Sequence, residues 1–386
     1  MLVGIPKEIF PGEGRVALIP AGVPTLTDAG FGVVVQSGAG DAAHYEDEDY
    51  RNVGASIAAD AKSLYDQADL ILKVRQPDND EIGLMQEGAS LICMMDAFFH
   101  LEETQALAAK NIRTFALEFI PRITRAQSMD VLSSMAAIAG YRGVLSGAMT
   151  LPQYFPMLMT AAGTIHPAKV FVIGAGVAGL MAISTARRLG AVVEAYDMRP
   201  VVKEQVESLG AKFVEFDLQT EGSEDKGGYA KEQSDDFYKR QQEQMAAKIA
   251  QSDLVITTAA IPGKPSPRLV SSDMLKLMKK GSVVVDLAAE RGGNVEGTEK
   301  NKKVWKDGVT IVGYVDHPAR VPVHASQLYT KNITTFLLNM AKDGELNLDM
   351  EDEIVSSTLI TNGGKVTHQG ILDAINPPAA TESGDA

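Results

Sequence analysis

The sequence predicts an α/β protein with two doubly wound parallel-sheet domains separated by a cleft. Short, nearly continuous apolar runs recur along the chain and alternate with helix-like stretches. Uninterrupted apolar runs are typical of strands buried on both faces, and strands alternating with helices indicate a parallel sheet. The length of 386 residues suffices for two domains that each bury a core.

Composition limits the possible partners and the cellular setting. The formal net charge of −14 argues against a nucleic-acid-binding or anionic membrane surface, while docking onto a basic protein stays open. Cys93 is the single cysteine, so an internal disulfide is excluded. The N-terminal sequence has no signal-peptide pattern. A cytoplasmic or organelle-matrix location, without direct insertion into a membrane, is therefore expected.

The N-terminal third of the chain shows its own alternation of strands and helices. A helix is predicted over Pro20–Ala29, where Gly30 and Gly32 end it. A second helix-like stretch separates the last two strands of this region. The predicted strands are Leu2–Ile5, Val33–Gln36, Leu70–Lys73, Ser90–Met94 and Arg113–Leu117.

A glycine-rich turn follows a strand in the middle of the chain. The apolar run Lys169–Ile173 leads into Gly174, Gly176 and Gly179, which stand in G-x-G-x-x-G order. A helix over Leu180–Leu189, a strand over Ala191–Tyr196 and then Asp197 follow. This order of strand, turn, helix, strand and acid is typical of a dinucleotide site.

Each element of this pattern has a physical role. Gly174 permits the tight turn, Gly176 lets the backbone approach a pyrophosphate, and Gly179 lets helix and strand pack closely. The helix N-terminus presents free N–H groups to the phosphates. Asp197 can accept hydrogen bonds from both adenosine ribose hydroxyls and would repel a 2′-phosphate. The pattern therefore predicts NAD rather than NADP as the ligand of this chain.

An uncharged stretch, Gly143 to Ala168, precedes the glycine turn. Pro152, Pro156 and several polar residues argue against a membrane-spanning helix. We expect a buried connection between the domains, in which Met157 and Met159 fill the interdomain core.

The second half of the chain resumes the α/β alternation after a polar segment, Gln219 to Gln244, which is predicted to be a mobile loop running into a helix. A helix over Gln327–Lys342 is expected to return the chain to the first domain. A hairpin with its turn at Asn362–Gly364 follows, and residues 376–386 are expected to be a disordered tail. The remaining predicted strands are Leu254–Ala259, Ser282–Asp286 and Val309–Gly313.

The predicted domains are a discontinuous N-terminal domain, residues 1–133 plus 324–375, and a dinucleotide-binding domain, residues 134–323. The segment Pro121–Ser134 lies at their boundary and carries two arginines, Gln127, Asp130 and several hydroxyls. One interpretation is a capped amphipathic helix, with Thr124 or Ser128 as the cap and Asp130 in the first turn. The other is a functional segment, because an interdomain cleft would place the nicotinamide end of a cofactor there.

Several strings of the sequence carry a family resemblance that covers nearly the whole chain. The chain resembles the NAD(H)-binding component (alpha subunit, domain I) of proton-translocating nicotinamide nucleotide transhydrogenases, a group related to alanine dehydrogenase. Both domains would then be Rossmann-like. The strings are Gly12–Pro20 (GEGRVALIP), Arg122–Ser134 (RITRAQSMDVLSS), Gly140–Arg142, Val172–Leu180, Lys203–Gly210 (KEQVESLG), Gly227–Glu232 (GGYAKE), Thr257–Pro265 (TTAAIPGKP) and Asp286–Asn294 (DLAAERGGN).

The resemblance implies a role for particular residues. The group expected around the nicotinamide and its carboxamide, and so at the site of hydride transfer, is Arg122, Gln127, Asp130 and Ser133. Further cofactor contacts are implied in the same segment, around the pyrophosphate and ribose, in a loop that closes over the nucleotide, and beside the fourth strand. They are Ile123, Thr124, Gly174, Gly176, Val177, Gly179, Asp197, Met198, Arg199, Gly228, Tyr229, Gln241, Thr258 and Ala260.

The family reaction is hydride transfer from NADH to NADP⁺, coupled to proton translocation across a membrane. The resemblance implies the Si-specific, proton-translocating type of enzyme, active only with partner subunits. NADP(H) would be bound by a beta subunit or domain III, and protons would pass through a membrane-spanning component. This chain would be a homodimer, peripheral on the cytoplasmic side of the inner membrane or on the matrix side of an organelle. Direct transfer between two nicotinamides needs orientation rather than a general acid or base.

Alanine dehydrogenase is the alternative. The resemblance places Arg15 and Lys73 where that enzyme binds its keto acid, but Asp96 stands where its acid–base histidine should be, with His100 four residues later. A carboxylate protonates a carbonyl oxygen poorly at neutral pH unless burial raises its pKa strongly. Arg15 and Lys73 would then be retained for structure, by pairing with acids or capping strand ends.

A third interpretation is an NAD-binding module without turnover of its own. Five of the histidines, His44, His166, His317, His324 and His368, have no ligand spacing with cysteine or carboxylates, so no metal site is predicted.

Overall fold

The computed structural model describes residues 1–216, 235–261 and 263–377. Gly228, Tyr229 and most of the predicted mobile loop lie outside the described residues, as do residues 378–386 of the predicted tail. The chain divides into two units. The N-terminal unit is Met1–Ser134 with Ala319–Ala386, and the central unit is Met135–Pro318. The boundaries predicted at 133/134 and 323/324 lie one and five residues from these divisions.

The N-terminal unit begins with alternating strands and short helices. The strands are β1 (Leu2–Ile5), β2 (Gly32–Gln36), β3 (Ser56–Ala58), β4 (Leu70–Arg75), β5 (Ser90–Met94) and β6 (Arg113–Ala116). The helices are α1 (Val23–Asp28), α2 (Asp47–Arg51), α3 (Ala61–Tyr65), α4 (Asn79–Leu84) and α5 (Leu101–Ala109).

The long helix α6 (Val131–Thr150) begins in the N-terminal unit and continues in the central unit. The helices of the central unit that follow it are α7 (Val177–Arg188), α8 (Lys203–Ser208), α9 (Asp235–Ala250) and α10 (Ser272–Leu277). The strands are β7 (Leu158–Thr160), β8 (Gly163–Ile165), β9 (Lys169–Ile173), β10 (Val192–Tyr196), β11 (Lys212–Phe213), β12 (Leu254–Thr257), β13 (Val283–Asp286), β14 (Lys303–Lys306) and β15 (Val309–Val312).

The chain then completes the N-terminal unit. Its last elements are α11 (Pro322–Asn339), β16 (Ala341–Lys342), β17 (Glu345–Leu346), α12 (Glu353–Thr358), β18 (Leu359–Asn362), β19 (Lys365–Val366) and α13 (Gln369–Ile375). The hairpin turn between β18 and β19 lies at Gly363–Gly364, as predicted. Helix α11 begins five residues before its predicted start, because Pro322 is well suited to the first turn of a helix.

Each unit is built on one sheet with the doubly wound order. In the N-terminal unit the strands run β3-β2-β1-β4-β5-β6 in parallel, and β18 and β19 extend the sheet antiparallel. In the central unit they run β11-β10-β9-β12-β13-β15 in parallel, with β14 antiparallel at the edge. The predicted α/β class is confirmed.

Burial on both faces explains the uninterrupted apolar runs of the central sheet. In β9, Val170 and Val172 point into one core cluster, and Phe171 and Ile173 point into another on the opposite face. Helices α6 and α7 supply residues to the first cluster, whereas α9 and α10 supply residues to the second.

The connection before β9 differs from its prediction. Within the described residues, strands β7 and β8 pair only with each other, and most residues from Pro156 to His166 are exposed. Met157 is 56% exposed and Met159 is 72% exposed, so the expectation that they fill a core was wrong. The absence of charge in this stretch indicated burial, but an uncharged sequence can equally form an exposed apolar surface. Among the described helices none is long and apolar enough to cross a membrane.

Candidate dinucleotide-binding site

The glycine turn lies at the topological switch point of the central sheet. From β9 the chain winds outward to β10 and β11, then crosses to β12 on the other side of β9. Ile173, the last residue of β9, pairs with Tyr196 of β10 and Thr257 of β12. Ligands of open α/β sheets bind outside the carboxyl ends of the strands at such a point.

Two of the three glycines are required by the protein itself. Gly174 has a φ of +96°, and a Cβ there would lie 2.5 Å from Oγ1 of Thr258. A Cβ on Gly179 would lie 1.9 Å from the carbonyl oxygen of Gly174, so α7 can approach β9 only without a side chain here. Helix α7 begins at Val177, three residues before the predicted start, and therefore includes the third glycine.

Gly176 is different, because the space beside it is open. Its φ is −74°, which any residue adopts. Within the described residues, the atom that a Cβ there would meet within 4 Å is a guanidinium nitrogen of Arg199, at 3.9 Å. A glycine that neither packing nor backbone conformation requires, at the N-cap of a twelve-residue helix, fits the close approach of a phosphate group. These residues fit the pyrophosphate of a dinucleotide.

Asp197 is fixed beside this turn by its hydrogen bonds. Its Oδ2 accepts from the N–H of Ala175 at 2.7 Å. Its Oδ1 accepts from the N–H and the Nε of Arg199, both at 2.9 Å. The side chain is only 7% exposed, and the guanidinium compensates its charge. The carboxylate thus stands at the end of β10 and directly against the glycine turn, where a ribose acceptor is expected.

The other predicted cofactor residues of the central unit have varied surroundings. Thr258 donates from Oγ1 to the carbonyl oxygen of Gly174 at 3.1 Å, and Ala260 is exposed. Met198 packs against the core cluster of the α9 face. Gln241 is 2% exposed and donates to the hydroxyl of Tyr196 at 2.8 Å, so its amide nitrogen supports the end of β10. Burial raises the pKa of Tyr196 to about 12.

Two buried residues that were not singled out from the sequence hold the loops at the same sheet edge. Asp286 accepts from the N–H of Ala288 and of Val295, both at 3.0 Å. Asn294 donates to the carbonyl oxygens of Ala259 and Pro267, both at 2.8 Å. They begin and end the string DLAAERGGN, and the resemblance of this string to the family was the one sequence feature that pointed to them.

The candidate nicotinamide segment belongs to the N-terminal unit. Thr124–Met129 forms a 3₁₀ helix, with Arg122, Thr124 and Gln127 exposed and Ile123 partly buried. Asp130 directly precedes α6 and caps it. Its Oδ1 accepts from the N–H of Ser133 at 2.8 Å, and its Oδ2 accepts from the Ser133 hydroxyl at 2.6 Å. The predictions of Thr124 or Ser128 as the cap, and of Asp130 in the first turn, were therefore wrong.

Arg15 and Lys73 are buried in the N-terminal unit with acidic partners. Lys73 is 0% exposed, and its Nζ lies 2.7 Å from Oε1 of Glu81 and 3.6 Å from Oε2 of Glu8. Arg15 pairs with Glu13 at 2.5 Å. The buried cations are each compensated by a carboxylate, which fits the structural role expected for them.

The switch point of the N-terminal sheet lies between β1 and β4, and a side chain fills it. Glu8, which follows β1, accepts from the N–H of Val74 in β4 at 2.6 Å. The string Gly12–Ala17 after β1 has the related G-x-G-x-x-A spacing but does not begin a helix, so the strand–turn–helix pattern of a nucleotide site belongs to the central unit. Among the described residues, no three histidine, cysteine or acidic side chains are grouped to hold a metal ion.

Fold and site together define an α/β protein with a Rossmann-type dinucleotide site in its central unit. The chain belongs to the alanine dehydrogenase/PNT family: residues 4–139 match the model of the N-terminal domain and residues 143–369 that of the C-terminal domain. The family resemblance found in the sequence is confirmed.

Individual relatives align over almost the full chain. The chain is 47% identical over 379 residues to an NAD(P) transhydrogenase alpha-subunit polypeptide of Rhodospirillum rubrum, covering 96% of this chain and 99% of the relative. The solved structure of a transhydrogenase from Sinorhizobium meliloti matches with a TM-score of 0.84 at 47% identity, covering 96% of this chain and all of that chain. An L-alanine dehydrogenase structure matches with a TM-score of 0.81 at 26% identity, over 97% of this chain and 99% of that chain.

Proposed function

We propose that this chain is the peripheral NAD(H)-binding component of a proton-translocating, Si-specific NAD(P) transhydrogenase. The observation that carries the proposal is the glycine turn, with open space beside Gly176 and the carboxylate of Asp197 fixed against it. The name of the Rhodospirillum rubrum relative, a transhydrogenase subunit, supports it.

The central unit binds the adenosine half and the pyrophosphate. Backbone N–H groups from Gly176 to Gly179 receive the phosphates at the positive end of α7. Asp197 accepts from the ribose hydroxyls, and the Arg199 guanidinium that now covers it moves aside. Val177, Met198, Thr258 and Ala260 complete the proposed contacts, together with Gly228, Tyr229 and Gln241.

The N-terminal unit orients the nicotinamide through its exposed 3₁₀ segment. Because the Ser133 hydroxyl donates its hydrogen bond to Asp130, the Ser133 oxygen is left as an acceptor for a carboxamide N–H. Arg122 and Gln127 are exposed and supply further hydrogen-bonding groups, with Ile123 and Thr124 beside them. Bound NADH supplies the hydride from C4 of its nicotinamide. These residues hold the ring in position and transfer no proton.

The acceptor, NADP⁺, is held by a partner. The proposed partners are an NADP(H)-binding beta subunit or domain III and a membrane-spanning component that conducts protons. The chain is proposed to be a homodimer that docks on the cytoplasmic face of the inner membrane, or on the matrix side of an organelle. Its catalysis depends on these partners, because it supplies only one of the two nucleotides.

A two-substrate assay tests the proposal. The purified chain is mixed with NADH and the NADP(H)-binding component of a related transhydrogenase, and reduction of bound NADP⁺ or an analogue is followed spectroscopically. We expect reduction that requires both proteins. A chain that leaves NADP⁺ unreduced but oxidises NADH with pyruvate and ammonium would instead be an alanine dehydrogenase. Binding of NADH without either reaction would indicate a binding module.

A further inference from the structure

The segment that carries Gln127 depends on contacts from outside itself. Thr124–Met129 is a 3₁₀ helix of six residues. Such helices have poor hydrogen-bond geometry and are uncommon beyond three or four residues. Most side chains of this segment are exposed, with Ala126 and Met129 buried. Its conformation therefore requires anchors in the rest of the unit.

The first anchor is a bidentate ion pair across 227 residues of sequence. The two terminal nitrogens of Arg125 donate to the two oxygens of Asp352, at 2.9 and 2.5 Å. Asn339, the last residue of α11, joins both partners. Its Oδ1 accepts from Arg125 at 3.2 Å, and its Nδ2 donates to Asp352 at 3.0 Å. The three side chains form a closed hydrogen-bonded ring.

The acidic member of this ring is itself held rigidly. Asp352 is the N-cap of α12, where its Oδ1 accepts from the N–H of Ile354 at 2.9 Å. Its side chain is 14% exposed, against 54% for Arg125. The Arg125 hydrogen bonds hold the pKa of Asp352 well below its usual range. The carboxylate is therefore a fixed point to which the arginine attaches.

A second anchor lies three residues further along the segment. Asn332 of α11 is 5% exposed and donates from Nδ2 to the carbonyl oxygen of Ser128 at 2.9 Å. Gln127 lies between the two anchored residues, and Asp130 follows them as the cap of α6. The Arg125–Asp352 ion pair and the hydrogen bond from the Asn332 amide thus hold the segment on both sides of Gln127.

We propose that Arg125 is a positioning residue for hydride transfer, whose pair with Asp352 fixes the segment from Arg122 to Asp130. The inference rests on the proposed function, because the residues that the pair holds in place, Gln127 among them, are the proposed nicotinamide contacts. Because Arg125 is 54% exposed, solvent screens the pair, and its loss should lower the free energy of unfolding only modestly. Its effect is local order, and a displacement of about 1 Å at a transfer site can slow a reaction about a hundredfold.

Paired variants separate positioning from general stability. Arg125→Ala removes the pair, and Asp352→Asn removes its charge while keeping an oxygen to cap α12. Arg125→Lys keeps the positive charge but not the bidentate geometry. Arg51→Ala, which breaks the exposed pair with Glu48 in the same unit, is the control. For each variant we would measure single-turnover transfer from NADH to partner-bound NADP⁺, NADH affinity, melting temperature and hydrogen exchange of residues 121–130.

Arg125→Ala and Asp352→Asn should slow transfer at least about tenfold, with NADH affinity changed less than about twofold. The melting temperature should fall by no more than a few degrees, exchange of residues 121–130 should be faster, and Arg125→Lys should recover part of the rate. The control should match the wild type in all four measurements. A normal transfer rate in Arg125→Ala, or unchanged exchange of the segment, would overturn the proposal. Failure of the wild type to reduce NADP⁺ would overturn the proposed function instead, and the exchange data would still decide whether the pair anchors the segment.

Discussion

Asp197 is the residue on which cofactor choice is expected to depend. Its charge favours ribose hydroxyls as partners and opposes a 2′-phosphate. Asp197→Asn keeps an oxygen that can accept from the N–H of Ala175 but removes the charge. Since a hydrogen bond to a charged group is worth about 1.5–3 kcal/mol, NADH affinity should fall at least about tenfold and discrimination against NADPH should narrow. Fluorescence titration with both nucleotides measures the two affinities.

The control for this change is Asp273→Asn in the same unit. Asp273 is an exposed carboxylate in an ordinary surface pair with Lys276. Its neutralisation alters the net charge by the same amount and should leave both affinities unchanged. If the Asp197→Asn variant binds NADH as tightly as the wild type does, and also binds NADPH as the wild type does, Asp197 does not contact the ribose.

Glu118 should make the stability of the N-terminal unit depend on pH. Its two oxygens accept from the N–H groups of Met95 and Ala97, both at 3.0 Å, and so hold the loop in which Asp96 has a φ of +49°. Burial raises the pKa of Glu118 from 4.5 to about 7. The folded state then binds this proton more tightly than the unfolded state, so its contribution to stability falls as pH rises from about 4.5 to about 7.

Glu118→Gln tests this, because the amide is similar in size and does not titrate. Urea unfolding at several pH values should show a flatter dependence between pH 4.5 and 7 in the variant than in the wild type. Identical slopes in the two proteins would show that Glu118 ionises at its ordinary pKa in the folded chain.

The packing of α7 on β9 depends on one glycine. A Cβ on Gly179 would lie 1.9 Å from the carbonyl oxygen of Gly174, so the helix or the turn has to move. Gly179→Ala should destabilise the central unit by about 1–3 kcal/mol, the usual effect of overpacking, and should also weaken NADH binding. Calorimetric unfolding and NADH titration measure these effects.

Gly83→Ala is the matched control, because it makes the same substitution at a helical glycine with open space around it. Gly83 lies in α4, and apart from its chain neighbours and the backbone of its own helix, no atom in the described region lies within 4 Å of the position of an added Cβ. Alanine should therefore be neutral or stabilise by about 0.5–1 kcal/mol, because it restricts the unfolded backbone. If both variants unfold like the wild type, the close approach of α7 to β9 does not limit stability.

At the scale of the whole molecule, the sequence predicted what is encoded locally. The glycine turn, the strand before it and Asp197 lie within thirty residues, and their order alone indicates a dinucleotide site. The Arg125–Asp352 pair joins residues 227 positions apart, and no local pattern relates them. Asp130 was predicted in the first turn of a helix, but α6 begins at Val131, so Asp130 is its cap. A cap residue cannot be identified until the first residue of the helix is known. The exposure of Met157 and Met159 was not predictable either, because an uncharged stretch is compatible both with a core and with an interface.

The exposed part of that uncharged stretch is expected to form an interface. Tyr154, Met157, Met159 and Ile165 are 54%, 56%, 72% and 43% exposed. The last two lie in the hairpin β7–β8, which pairs with no other strand of the described residues. A two-stranded hairpin is marginally stable by itself, and a contiguous apolar surface marks an interaction site. The occupant that we expect is a second copy of this chain, because the chain is proposed to be a homodimer.

Met159→Asp would bury a carboxylate in such an interface and should shift the chain from dimer to monomer at micromolar concentration, measured by analytical ultracentrifugation. Leu277→Asp is the control, because Leu277 is 56% exposed on α10 of the same unit and lies outside the hairpin. It should leave the dimer intact. A wild-type chain that sediments as a monomer would contradict the prediction, and so would a Met159→Asp dimer as tight as the wild type. NADH affinity should be the same in both variants, since Met159 lies in a hairpin and Leu277 in a helix that are separate from the glycine turn.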